Sequence, residues 1–511
     1  MRLSGIAAAL TALIAQPALA ADRWPPGYAA LAAYQKGDFA AARLALDAEL
    51  GKCEAAKPDA DQCLDLLLAL SNVARAGGDA RESEAYGRRA LTLAERVLPA
   101  GHPDIAASIN NIATALATQG RYADAEPLYR RALAMRHAAL PQGHPDIAAG
   151  ISNLAYNLNA QGRYTDAEPL FRQALAMREA ALPAGHADIA TSHSALALNL
   201  YAQGHYGAAE PMFRKALAMR EATLPAGHPD IAAGYRHLAA NMNAQGRYRE
   251  AEPLFRRALA MREARLQAGH PEIAGSYNDL AYNLILQDRF ADAEPLYRKA
   301  LAMYEALAPD GHPLVATALN NLASNLNAQG RLGDAEPYFR KALAMRAALL
   351  PEGHPDVAES INNLAFNLFD QGRYADSEPL YREALTMREA MLPAGHPDIA
   401  QAYNNLAFAL NEQGRYREAE ALLRKALAIR SRFPESHPHR IDGFWSLAVI
   451  LQTQRKAADE ARSSYREAER GAIERMRSFA DFDAGAQAEI RKYRPIFIGE
   501  VRAAWDLARA P

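Results

Sequence analysis

The sequence predicts an all-α chain: a solenoid of antiparallel helix hairpins with a C-terminal capping helix. Three observations predict it. The string Gly-His-Pro-Asp recurs with its glycine at 101, 143, 227, 353 and 395, and variants at Gly185, Gly269 and Gly311 fill the same frame, so one unit of 42 residues repeats. Each unit carries two apolar stripes at helical spacing. No segment alternates apolar and polar residues as a strand would. A lone hairpin cannot bury its apolar stripe, whereas stacked neighbours can, and this dictates a stack.

Within a unit the signals fall in order. Gly101 ends one helix, and Pro103 with Asp104 opens the next. Ile109, Ile112, Ala113 and Leu116 make the apolar face of the first helix, and Gln119-Gly120 breaks it. The second helix carries Ala125, Leu128, Tyr129, Ala132, Leu133 and Met135. Glu126 and Arg130 stand four apart and are expected to pair along the exposed side, for about 0.3–0.5 kcal/mol. Ala113 and Ala132 recur at every equivalent place through Ala407 and Ala426. A larger side chain there would hold the two helices apart.

The ends depart from this regularity. Residues 1–20 read as a signal peptide, with Arg2, an apolar run from Ile6 to Ala15 and a small-x-small site at Ala18-Leu19-Ala20. The run is too short to span a bilayer, so export to the periplasm or beyond is expected, with a soluble mature chain. Residues 24–98 read as degenerate hairpins, marked by Gly37-Asp38-Phe39 and Gly78-Asp79. Between them lie the only two cysteines, Cys53 and Cys63. In an oxidising compartment they are expected to form a disulfide, two separately buried thiols being the alternative. Their spacing, with no histidine nearby, does not suit zinc. Residues 99–434 are the regular array. Ser436-His437-Pro438 comes one residue early and opens a degenerate last unit over 435–477, for about eleven hairpins in all. Residues 478–511 read as the capping helix and tail, with Ile490, Tyr493, Phe497, Val501 and Trp505 on its apolar face.

The pattern W/I-x-x-L-A, G-x-Y-x-x-A, Y-x-x-A-L, carried on Asn-Asn-Leu-Ala, Gln-Gly-Arg-Tyr, Ala-Glu-Pro-Leu-Tyr and Gly-His-Pro-Asp, resembles the tetratricopeptide repeat of the kinesin-light-chain type from residue 103 to about 433. The resemblance implies a right-handed superhelical solenoid with a concave groove, and a scaffold for protein–protein interaction. The tail also resembles the segment that joins tetratricopeptide arrays to caspase-like CHAT peptidase domains. No peptidase is expected here, but an adaptor for a separately encoded enzyme is one rival reading, and a self-associating structural spacer is another.

Composition narrows the function. A net charge of −2 and the lack of a basic stripe give no reason to expect nucleic-acid binding. The histidine row from His102 to His396 and the methionine row from Met135 to Met387 invite a metal reading. Helices in neighbouring repeats sit about 8–10 Å apart, whereas zinc takes nitrogen at about 2.0–2.1 Å, so a row cannot share an ion across repeats. The histidines are read as helix starts and the methionines as core filler. Ser192-His193-Ser194 lies on a helix, with His193 at a packing place. Without a nucleophile elbow, phosphate loop, HExxH or CxxC, no enzyme and no cofactor are expected.

Binding is expected on the face that varies. The places of Ala107, Asn110, Asn111, Thr114, Ala117 and Thr118 change from unit to unit, and the resemblance sets them in the concave groove. The Thr114 place becomes Tyr156, Tyr282, Phe366 and Phe408, and the Ala117 place becomes Tyr201 and Phe369, more aromatics than a solvated surface collects. The Asn111 place is Asn153, Asn321, Asn363 and Asn405, where the family commonly grips a peptide backbone, the alternative being that these asparagines bond neighbouring helices. Ala195, His237 and Asp279 interrupt that row. A second row, from Asn157 to Asn367, is too uniform to encode a ligand and is read as structural. Only Arg236 offers the charge of a carboxylate clamp, so a free C-terminus is not the expected ligand. The expected ligand is a protein or peptide segment lying along this face.

Overall fold

A computed structural model describes residues 29–55, 60–309, 311–351, 353–453, 458–477 and 484–508. The expected signal peptide lies outside them. Among the described residues the chain is helical throughout, with antiparallel hairpins from Ala29 to Arg477 and a closing helix, Ala484–Ala508. It falls into two units, one ending at Asn241 and one beginning at Met242.

Each regular first helix starts in the same unusual way. Its N-cap is the histidine of the repeat motif, and Nδ1 accepts the backbone N–H two residues on: Asp104 to His102 at 3.2 Å, Asp356 to His354 at 3.1 Å. The histidine row is therefore a row of caps, each satisfying one orphan donor of its own helix. At the other end Gly120 takes a left-handed φ of 78°, and Arg121 N–H reaches back to the Leu116 carbonyl at 2.9 Å. Asp288 holds φ 60° where the other regular units use glycine.

The hairpins close on alanine. Ala113, Ala132, Ala155 and Ala174 are buried in the first unit, and Ala323, Ala342, Ala365 and Ala384 in the second. Tyr129, Phe171, Phe339 and Tyr381 fill the space beside them. The methionines are half-buried and pack on this core, as Met177 does in the first unit and Met303 and Met345 do in the second.

Polar groups tie each hairpin to the next. Glu126 pairs with Arg130 at 2.8 Å as its spacing predicts, but its side chain is mostly buried. It also accepts from Gln161 Nε2 at 3.0 Å and Arg163 Nη1 at 2.9 Å, both in the following hairpin. Burial pushes this carboxyl up, yet the Arg130, Gln161 and Arg163 donors outweigh it and hold it below the usual glutamate range. Thus Ala-Glu-Pro and Gln-Gly-Arg are two halves of one inter-repeat contact. The uniform asparagine row is structural as expected: Asn157 Nδ2 donates to the Tyr122 carbonyl at 3.1 Å, and Asn367 to that of Leu332 at 3.0 Å.

At the N-terminal end the second helix of the first hairpin, Phe39–Ala55, is bonded to the next helix, Ala60–Ala76, by a Cys53–Cys63 disulfide with the Cα atoms 5.8 Å apart. At the other end the closing helix packs on the last hairpin, as expected at Tyr493 and Phe497 but in a register that differs at other places. Tyr493, Ile496 and Ala503 are buried with Ile441 and Tyr465, and Phe497 packs beside them. Ile490 and Val501 face solvent instead, Val501 at 68 % exposure. The Trp505 side chain lies outside the described residues. Gly499 sets this register: a β-carbon there would overlap the Tyr465 ring.

First helices of successive hairpins touch. In the first unit Ala60–Ala76 meets Pro103–Thr118, and in the second Pro313–Ala328, Pro355–Asp370, Pro397–Glu412 and Pro438–Thr453 meet in turn. No pair of second helices makes comparable contact among the described residues. Within each unit the first helices therefore line the inside of the bend.

Candidate peptide-binding face

The varied positions lie on these first helices, and the structure sorts them. The asparagines of the Asn111 row form rungs between repeats. Asn153 Nδ2 donates to Asn110 Oδ1 at 3.0 Å, Asn321 to Asn278 at 2.8 Å, Asn363 to Asn320 at 2.9 Å and Asn405 to Asn362 at 2.8 Å. Asn111 makes a longer bond, 3.4 Å, to the Leu68 carbonyl. Each rung spends one N–H of the amide on the neighbouring helix. Asn111 and Asn153 are buried, and Asn405 Oδ1 accepts from Gln401 Nε2 at 2.7 Å. Half-buried Asn321 and Asn363 thus keep a second N–H and an oxygen for a ligand, and Asn405 a second N–H.

The aromatics divide by unit. Tyr156 is 4 % exposed and packs edge-on against Phe171, ring centres 5.0 Å apart. Burial pushes its hydroxyl up to about 12, with Arg178 and Arg220 pulling the other way. Tyr201 is half-buried beside Tyr206, centres 5.2 Å apart, and Arg236 is half-buried on the first helix of the next hairpin. In the second unit Tyr282 and Phe408 are half-buried, and Phe369 packs on Tyr374 at 5.2 Å. Phe366 is 47 % exposed, the one phenylalanine among the described residues to stand out in solvent to that degree. It sits one turn before the end of Pro355–Asp370, a helix whose other face is buried.

The same face carries two groups that the sequence reading passed over. Asp370 follows Phe366 by four residues, and Glu412 follows Phe408 by four, so each acid stands one helical turn from an aromatic. Asp370 accepts from Asn327 Nδ2 of the preceding repeat at 2.8 Å. Burial raises its carboxyl above the usual aspartate value, and the Asn327 bond offsets part of that rise. Glu412 accepts from Asn411 Nδ2 at 3.1 Å. The signal was present in the sequence: the Thr118 place is Thr, Ala or Leu in the units from 103 to 328 and turns acidic only at these two.

The tetratricopeptide-repeat family model matches residues 62–138, 146–222, 230–306, 314–390 and 398–474. The chain belongs to the tetratricopeptide repeat family. A second model of that repeat matches 194–265 and 278–349. Among solved structures, this tetratricopeptide chain is similar to the nearly identical TPR-like repeats of a protein from Podosopora anserina described as a kinesin light chain, at 25 % identity over 40 % of this chain and 98 % of that one, with a TM-score of 0.37. It is similar to BtubC (BKLC) from P. vanneervenii at 24 % identity, over 45 % and 91 % of the two chains, with a TM-score of 0.39. The apo form of RapI shares the fold at 13 % identity, over 72 % and 98 %, with a TM-score of 0.53. No curated protein matches the chain.

Proposed function

We propose that this tetratricopeptide chain is an exported scaffold that receives a peptide or helical segment of another protein on its first-helix face. The observation that carries the reading is the exposure of Phe366 on the inner side of its unit, where the other phenylalanines among the described residues are buried or half-buried. Exposed aromatic surface of this kind is stabilised by a partner that removes it from water. Phe369 and Phe408 extend the apolar strip, and the remaining N–H and oxygen of Asn363, with the remaining N–H of Asn405, offer polar anchors beside it. The scaffold role follows from the family, and the reading assigns no catalytic step. Export is supported by the leader-like run over residues 1–20 and by the Cys53–Cys63 disulfide, a bond that persists in oxidising compartments.

The test is capture of partners from the native envelope by the wild-type chain and by Phe366→Ala/Phe408→Ala, with helicity followed by circular dichroism. The reading expects a partner retained by the wild type and lost from the variant at unchanged helicity. Equal retention by both chains would remove this face from the account. Asn363→Ala is a poorer probe, because it also breaks the rung to Asn320.

A further inference from the structure

Charge on the first-helix face differs along the chain. Over the units from 271 to 453, the places equivalent to Ala107, Asn110, Asn111, Thr114, Ala117 and Thr118 hold five acids and no lysine or arginine. Two of those acids have basic neighbours: Glu359 lies 3.5 Å from Arg346 and Asp442 lies 3.7 Å from Lys492. Asp370 and Glu412 accept only from amides, with no cation beside them among the described residues. Each stands one turn beyond an aromatic on the same helix, Phe366 before Asp370 and Phe408 before Glu412.

We infer that these pairs are two successive sockets for basic side chains, and that the segment bound here carries arginine or lysine. This rests on the reading of the face as a peptide site and names the chemistry of its occupant. A guanidinium is planar and weakly hydrated, so it stacks on a phenyl ring while its fork of N–H donors meets a carboxylate. Phe366 supplies an exposed ring, and Asp370 a carboxylate with no cation beside it among the described residues. Phe408 and Glu412 repeat the arrangement one hairpin on, about 8–10 Å away by helix packing. In an extended polyproline-II segment, residues i and i+3 point the same way about 9 Å apart. The matching partner thus carries two basic residues separated by two others. The acidic, aromatic face fits such a segment and repels an acidic one.

The experiment selects binders from a random dodecamer peptide library displayed on phage, against the full disulfide-bonded chain. It then measures the affinity of the enriched peptides for the wild type, for Asp370→Asn/Glu412→Gln and for Phe366→Ala/Phe408→Ala. Both carboxylate changes are isosteric and on the surface, and circular dichroism checks that the fold is retained. The expected result is enrichment of paired basic residues, with affinity falling about tenfold or more in the amide variant and falling steeply with added salt. Peptides that need Phe366 and Phe408 but show no basic enrichment, or ignore the amide variant, overturn this inference and leave the peptide face standing. Failure to enrich any peptide that depends on those two phenylalanines removes the peptide face and this inference together.

Discussion

Asn363 donates its side-chain N–H to Asn320 Oδ1, 2.9 Å away and one repeat earlier in the chain. The acceptor residue is buried, so removing the donor strands a polar group in a dry seam. Asn363→Ala is expected to lower stability by about 1–2 kcal/mol, whereas Phe366→Ala, half in solvent, changes it by less than about 0.5 kcal/mol. Urea unfolding followed by circular dichroism separates the two. Equal effects would mean that the rung contributes nothing to holding the repeats.

Gly499 makes a second structural claim testable. The closing helix lies against Tyr465 because position 499 has no β-carbon. Gly499→Ala forces the helix away from the ring or shifts the ring from its place, an overpacking cost of about 1–3 kcal/mol. The helical propensity gained by alanine, about 1 kcal/mol, opposes this only in part. Faster hydrogen exchange over 484–508, with 313–412 unchanged, is the expected signature. Unchanged exchange in the closing helix would show that it tolerates another register.

Much of this was legible in the sequence, for a physical reason: an array repeats its errors and its rules alike. The 42-residue frame, the alanine contacts at Ala113 and Ala132 and the structural Asn157 row all follow from positions that never change. Three things did not follow. The histidine caps were read only as helix starts, because histidine is not a usual N-cap and the bond depends on Nδ1 facing its own helix. Bonding between neighbouring helices was only the alternative reading of the Asn363 row, because its partner Asn320 lies 43 residues away and both places were counted as groove. In the closing helix the expected face holds at Tyr493 and Phe497, but Ile490 and Val501 leave it and Ile496 and Ala503 join it, because Gly499 lets the helix approach Tyr465. Asp370 and Glu412 were visible but stood as single departures in a row watched for aromatics.

The disulfide gives a prediction confined to one end. Cys53 and Cys63 are 10 apart in sequence, and closing so short a loop is worth about 2–3 kcal/mol in the chain-entropy account. In a stack each hairpin meets only its neighbours, so the loss stays local. Cys53→Ser/Cys63→Ser is expected to speed proteolysis and hydrogen exchange over residues 29–97 and leave 313–412 as they were. A uniform loss along the chain would mean that the hairpins do not unfold independently.

The carboxylates that join hairpins make stability depend on pH in a definite direction. Glu294 is the clearest: its side chain is mostly buried, and it takes Gln329 Nε2 at 2.9 Å, Arg331 Nη1 at 3.0 Å and a short contact from Arg298. Burial alone would raise its carboxyl, but these donors outweigh it, and the folded value lies below the ordinary one. Glu252 and Glu336 share the pattern. A group depressed on folding stabilises the folded state above its unfolded value and loses that contribution as pH falls through its folded value. The loss therefore lies on the acid side of the ordinary glutamate value of about 4.3. Melting temperature is expected to hold from neutral pH down to about 5 and to drop steadily below about 4. Glu294→Gln removes one such group, so it lowers the melting temperature at pH 7 and lowers it less at pH 3. An equal deficit at both pH values would show that Glu294 acts through packing and not through its charge.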